Sequence, residues 1–111
     1  MFFTKTDTVK PEGVSHDSNI LKKVFLKRGQ VPNLMQFGSA VFQPGQSVAP
    51  HKHPTMTEVF LITEGKIDFE VEGELITAQV GDCITIEAGE VHSQNNRYTT
   101  PVKWIYFGVG C

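Results

Sequence analysis

Apolar and polar residues alternate along this chain in short runs, broken every few positions by glycine or proline. Ile67-Asp68-Phe69-Glu70-Val71 is the clearest case, with an apolar side chain at every second position. That period belongs to a half-buried β-strand, whose successive side chains point to opposite faces. The same pattern predicts strands at Lys23–Lys27, Leu34–Gln43, Glu58–Thr63, Leu75–Val80, Cys83–Ile86 and Val102–Val109. Arg28-Gly29-Gln30, Pro44-Gly45, Glu64-Gly65-Lys66, Glu72-Gly73-Glu74 and Gly81-Asp82 supply turns between them. No window shows helical periodicity strong enough to compete. Many short strands with closely spaced turns imply an all-β sandwich or barrel. Residues 1–19 are polar and weakly patterned, and are expected to form an N-terminal arm or an edge strand. One barrel then fills 20–111.

Composition narrows this picture only slightly. At 111 residues the chain makes one domain. A formal net charge of −2 offers no basic field for nucleic acid. Lys22-Lys23 and Lys27-Arg28 are separated by Val24-Phe25-Leu26 and read as polar positions flanking a strand, not as a phosphate patch. No apolar run approaches the roughly 20 residues of a membrane span. The start, Met-Phe-Phe-Thr-Lys-Thr-Asp, lacks the basic and apolar regions of a signal peptide, so a cytoplasmic location is expected. Cys83 and Cys111 give no disulfide framework, and Cys83 is expected to be a small core residue.

The chemistry concentrates in two stretches. From Gly45 to Gly65 the chain reads G-QSVAP-H-K-H-PTMT-E-VFLITE-G, placing His51, His53 and Glu58 close together. From Gly81 to Asn96 it reads G-DCITI-E-A-G-EV-H-SQN-N and adds His92. In an extended strand residues i and i+2 share a face, so His51 and His53 can converge. Imidazole and carboxylate suit a divalent transition metal. His16, in Ser15-His16-Asp17-Ser18, reads as a solvated loop histidine.

These stretches resemble the two motifs of the cupin superfamily. The first, G-x5-H-x-H-x3,4-E-x6-G, is matched at every fixed position, and the second, G-x5-P-x-G-x2-H-x3-N, everywhere except Glu87, which stands where proline is usual. The resemblance is to a small single-domain cupin and implies a double-stranded β-helix, or jelly-roll, barrel. It implies one divalent metal ion (iron, manganese, nickel, cobalt, copper or zinc) held by His51, His53, Glu58 and His92. Four protein ligands leave about two positions on an octahedral ion for other groups.

Alternation outward from the ligands suggests the rest of the pocket. If Glu58 faces inward, so does Phe60; if His92 does, so do Gln94 and Asn96. Met35, Phe37, Trp104 and Tyr106 are candidates for an aromatic wall, with ordinary core packing the competing account. The expected function is that of a metal-dependent enzyme, isomerase/lyase or dioxygenase in type, on a small anionic or hydroxylated metabolite. The alternative is a non-catalytic module binding a sugar or acid, and a third reading is a purely structural metal site. A fold shared by so many chemistries does not choose among them. A homodimer pairing through Ile20–Leu26 is expected, with neither nucleic acid nor membrane as partner.

Overall fold

The computed structural model describes all 111 residues. A single 3-10 turn at Thr6–Thr8 precedes ten strands. These are β1 (Glu12–Val14), β2 (Asp17–Leu26), β3 (Leu34–Phe42), β4 (Ser47–His51), β5 (Met56–Glu64), β6 (Lys66–Val71), β7 (Glu74–Gln79), β8 (Cys83–Ile86), β9 (His92–Asn95) and β10 (Val102–Gly110). They pair antiparallel into a six-stranded sheet, β1-β2-β3-β10-β5-β8, and a four-stranded sheet, β4-β9-β6-β7. From β3 onward the chain passes repeatedly from one sheet to the other. The result is the double-stranded β-helix, a jelly-roll barrel.

β1, β4 and β9 are not among the strands that periodicity predicts. They are three, five and four residues long, and their glycine, proline and histidine content hides any alternation. The expected boundary between arm and barrel falls inside β2. That strand is not a free edge over its first half, because β1 pairs with it at Glu12↔Lys22 and Gly13↔Leu21. Ile20 in turn is wholly buried.

The space between the sheets is filled by the inward positions of facing strands. Phe60 and Ile62 of β5, Trp104 and Tyr106 of β10, Phe42 of β3 and Phe69 of β6 are all buried. The aromatic rings among them pack together, with centroids 4.7 Å apart for Phe42–Trp104 and 5.3 Å for Phe60–Phe69. Such offset and edge-on contacts add to the hydrophobic stabilisation of each large ring. Cys83 departs from expectation. On β8 it is Ile84 and Ile86 that turn inward, so the alternating position Cys83 is exposed.

Two polar groups are buried with their hydrogen bonds satisfied. Asp68 accepts from Thr77 Oγ1 at 2.8 Å, Tyr98 Oη at 2.6 Å and Arg97 Nε at 2.6 Å. Asn96 donates to the carbonyls of Phe42 and Thr100 and accepts from the Tyr98 amide. It therefore ties the end of β9 to the end of β3.

The connection from β5 to β6, which carries the chain from one sheet to the other, turns at Gly65, whose φ is +75°. A Cβ at that position would collide with the Pro101 carbonyl oxygen. Left-handed strain and collision act together, so Gly65→Ala should cost about 2–4 kcal/mol. Thermal unfolding should then show a midpoint lower by roughly 8 °C or more. An unchanged midpoint would contradict the tightness of this turn.

Candidate metal centre

Four side chains from three parts of the chain meet at one wall of the barrel. β4 is an edge strand, which lets it carry Pro50, and its pairing with β9 shifts register between Val48 and His51. It ends at His51, so His53 lies in the connection to β5. The two imidazoles have ring centroids 5.0 Å apart, and both are less exposed than Lys52 between them. Glu58 enters from β5 on the face it shares with Phe60. His92 opens β9 directly across from His51.

The turn before His92 explains how the chain manages without the proline usual at position 87. The Glu90 amide donates to the Glu87 carbonyl at 3.1 Å, and Gly89 takes the positive φ, +85°, that a tight turn requires. The Glu87 amide in turn donates to the Glu90 carboxylate at 2.7 Å. Proline has no N–H with which to make that bond. The same turn reaches both flanking ligands. The Gly89 amide donates to the His53 carbonyl at 2.9 Å, and the Glu90 carbonyl accepts from His92 Nδ1 at 3.0 Å.

These contacts fix which ring nitrogens face the centre. His51 Nδ1 bonds the Ala49 carbonyl at 2.9 Å, as His92 Nδ1 bonds that of Glu90, leaving each Nε2 free to bind an ion. Glu58 Oε1 lies 3.2 Å from His53 Nε2 and 3.4 Å from His92 Nε2. The second contact is not aligned as a hydrogen bond, and His92 Nε2 is buried without a partner. An orphaned buried nitrogen is costly unless something fills the role. One donor atom from each of the four residues falls within 4.8 Å of all the others. An ion with bonds of about 2.1 Å holds opposite donors about 4.2 Å apart, so a small contraction completes the set. The residues fit a divalent transition ion.

The imidazoles are not electrostatically alike. Burial pulls His51 below its ordinary range, and its bond to Ala49 only partly opposes this; nearby His92, His16 and His53 reinforce it. Burial acts the same way on His92, but Glu58 and the Glu90 carbonyl outweigh it, and the net direction is up.

The cluster opens onto a cavity of about 190 Å³ lined by Phe60, Gln94, Trp104 and Tyr106. Met35 and Phe37 are not in its wall. The inward residues of β3 are Gln36, Ala40 and Phe42. Phe37 instead packs edge-on against Phe25, and Met35 lies against Gly108 and Gly110. Both faces of β3 carry apolar residues, so periodicity alone gives no orientation. Three lining residues carry no local signal of their place in the sequence. Lys22 and Gln36 sit in strands whose facing the pattern leaves open. His16, expected to be a solvated loop residue, is exposed but lies over His51 at the cavity mouth with ring centroids 4.2 Å apart. Only the pairing of β1 with β2 brings it there.

A jelly roll with three histidines and a glutamate converging beside an internal cavity defines a class of small β-barrel proteins. The Cupin domain family matches residues 38–108, and the chain belongs to that family. It is 30% identical over 69 residues to the oxalate-binding protein of Thermotoga maritima, covering 62% of this chain and 57% of that protein. It is 26% identical over 69 residues to the tetracenomycin polyketide synthase protein TcmJ of Streptomyces glaucescens, covering 62% of this chain and 46% of that one. The chain thus aligns with about half the length of these curated relatives. The crystal structure of a predicted oxalate decarboxylase from Thermotoga maritima superposes with a TM-score of 0.89 at 22% identity, covering 99% of this chain and all of that one. That likeness shows a shared fold.

Two outcomes follow from the geometry. Metal at a hundredfold excess over its Kd should add about 2.7 kcal/mol of stability, raising the unfolding midpoint by roughly 10 °C. Chelation should reverse the rise and His51→Ala should prevent it; a melting curve indifferent to metal, chelator and mutation would contradict the site. Protons compete with metal for imidazole, so affinity should fall as pH drops from about 7.5 to about 5. The raised His92 brings that competition in above the ordinary imidazole value of 6.5. Equal affinity at both pH values in a calorimetric titration would exclude histidine ligation.

Proposed function

We propose that this protein is a metal-dependent enzyme acting on a small anionic or hydroxylated metabolite, with isomerase/lyase or dioxygenase-type chemistry. One observation supports this above others. The His51, His53 and Glu58 donors lie in the wall of an open cavity with the buried His92 beside them, whereas a structural metal site would be closed on all sides. A bound metal would supply a Lewis acid for a carbonyl or enediol oxygen, or a redox partner for dioxygen. The protein's own groups set the surroundings. Phe60 and Trp104 exclude water from the cavity floor, and Gln94 offers both a donor and an acceptor to a ligand oxygen. Burial pushes the Tyr106 hydroxyl well above its ordinary range, so it stays protonated and donates to Gln36 Oε1.

A binding module is the second reading, favoured by the likeness to a protein named for binding oxalate. Two variants separate the readings once a small acid that binds the metal-loaded protein has been identified. An enzyme should lose turnover on Glu58→Gln by far more than it loses ligand affinity, because the amide keeps the shape but removes the charge on the metal. A binder should lose affinity on Gln94→Ala and return the ligand chemically unchanged, with or without oxygen. Recovery of unaltered ligand under every condition would overturn the enzyme reading.

The same reading takes the molecule as a homodimer. Leu21, Leu61 and Val109 are exposed on the outer face of the six-stranded sheet, an apolar surface suited to a second copy. Light scattering at micromolar concentration should give about twice the chain mass, and a value near 12.3 kDa would exclude the dimer.

A further inference from the structure

Lys22 holds an unusual position for a lysine with no acidic partner. Its register neighbour on β3 is the inward-facing Ala40, so its side chain lies on the cavity face of the sheet. The small Ala40 side chain leaves room for the stem to run along the wall, and the ammonium donates to Gln36 Oε1 at 3.2 Å. The ion pairs of the molecule are His53–Glu58, His92–Glu58, Arg97–Asp68 and Lys103–Glu64, and Lys22 belongs to none of them. Glu12 lies across from it in the strand register, yet makes no ion pair with it.

Gln36 is held in one orientation. Its Oε1 accepts from both Lys22 and the Tyr106 hydroxyl, and the ammonium, which can only donate, requires the oxygen to face it. Its amide NH2 is thereby turned away from them and takes no other hydrogen bond. Two N–H groups of the Lys22 ammonium are likewise unused. This end of the cavity therefore presents hydrogen-bond donors and a positive charge; Glu12 and Glu58 act on Tyr106 through space, but neither pairs with Lys22. Three of the four candidate metal ligands, His51, His53 and Glu58, line the same cavity elsewhere. Gln36, Gly108 and Glu58 form one row across β3, β10 and β5, so Gln36 and Glu58 stand two strand spacings apart, about 10 Å. Phe60 and Trp104 provide apolar wall in the same cavity.

We propose that Lys22, supported by Gln36, is a specificity-determining residue that selects ligands carrying a carboxylate beyond the group that meets the His–Glu cluster. The preferred ligand is a small diacid, one end at the cluster and the other paired with the Lys22 ammonium by a charge-assisted hydrogen bond. The proposal rests on the metal-centre reading for the first of these ends only.

The test compares 2-oxoglutarate with 2-oxopentanoate, which share an oxo-acid end and differ in the far carboxylate. Trp104 is the only tryptophan in the chain and lines the cavity, so its fluorescence reports binding, with calorimetry as the second readout. The Mn2+-loaded protein should bind the diacid about tenfold or more tightly than the monoacid. Lys22→Met should remove that preference while leaving Mn2+ affinity, monoacid affinity and the melting midpoint unchanged. Lys22→Arg, which keeps the charge, should retain a preference. Equal affinity for the two acids, no binding of either, or a preference that survives Lys22→Met would overturn the proposal. If the wild-type protein takes up neither Mn2+ nor any of iron, nickel, cobalt, copper and zinc, the metal reading is overturned instead. Lys22 is then read from the same preference in metal-free protein, where its loss on Lys22→Met supports the proposal and its absence overturns it.

Discussion

The packing of aromatic rings between the two sheets is the contact on which the rest of this molecule depends. Phe60, Phe69 and Trp104 meet with centroids between 5.3 and 6.1 Å, joining β5, β6 and β10 across the barrel. Because strand side chains alternate, fixing Phe60 inward also fixes Glu58 inward, two residues away. Phe69 lies opposite Gln94 in the β6–β9 register, so the same contact orients Gln94 and, two residues before it, His92. The rings fill one end of the interior and form the floor of the cavity at the other. Hydrophobic packing thereby positions polar chemistry that would be costly to bury alone.

The ligand cluster needs a second kind of support, since His53 lies outside any strand and His92 begins one. The Glu87–Glu90 turn provides it by bonding to the His53 carbonyl and to His92 Nδ1. Replacing a proline by Glu87 exchanges a pre-set φ for an extra hydrogen bond, from the Glu87 amide to the Glu90 carboxylate. The turn keeps its geometry by a different physical route. Asn96 anchors the far end of β9 to the Phe42 carbonyl, which accounts for an asparagine at that motif position without any role in binding.

Much of the fold is legible in the sequence because the strands that carry the core alternate cleanly, as Ile67 to Val71 does. The candidate metal cluster is legible because three histidines and a glutamate at those spacings suit a divalent ion. What cannot be read has definite causes. Met35 and Phe37 look like cavity residues because β3 is apolar on both faces, and only pairing with β10 shows which parity turns inward. Cys83 looks like core for the same reason, one position out of phase with Ile84 and Ile86. His16, Lys22 and Gln36 reach the cavity through the pairings of β1 with β2 and β2 with β3, contacts that no local pattern encodes.

The central claim is that His92 Nε2, buried without a partner, is completed by a metal ion shared with His51, His53 and Glu58. Elemental analysis of protein purified without added metal tests it most directly, with His92→Ala as the comparison. The account predicts about one divalent transition ion per chain in the wild type and a loss of most of it in the variant. Wild-type protein that holds no such ion, and takes none up when iron, manganese, nickel, cobalt, copper or zinc is supplied, would contradict it.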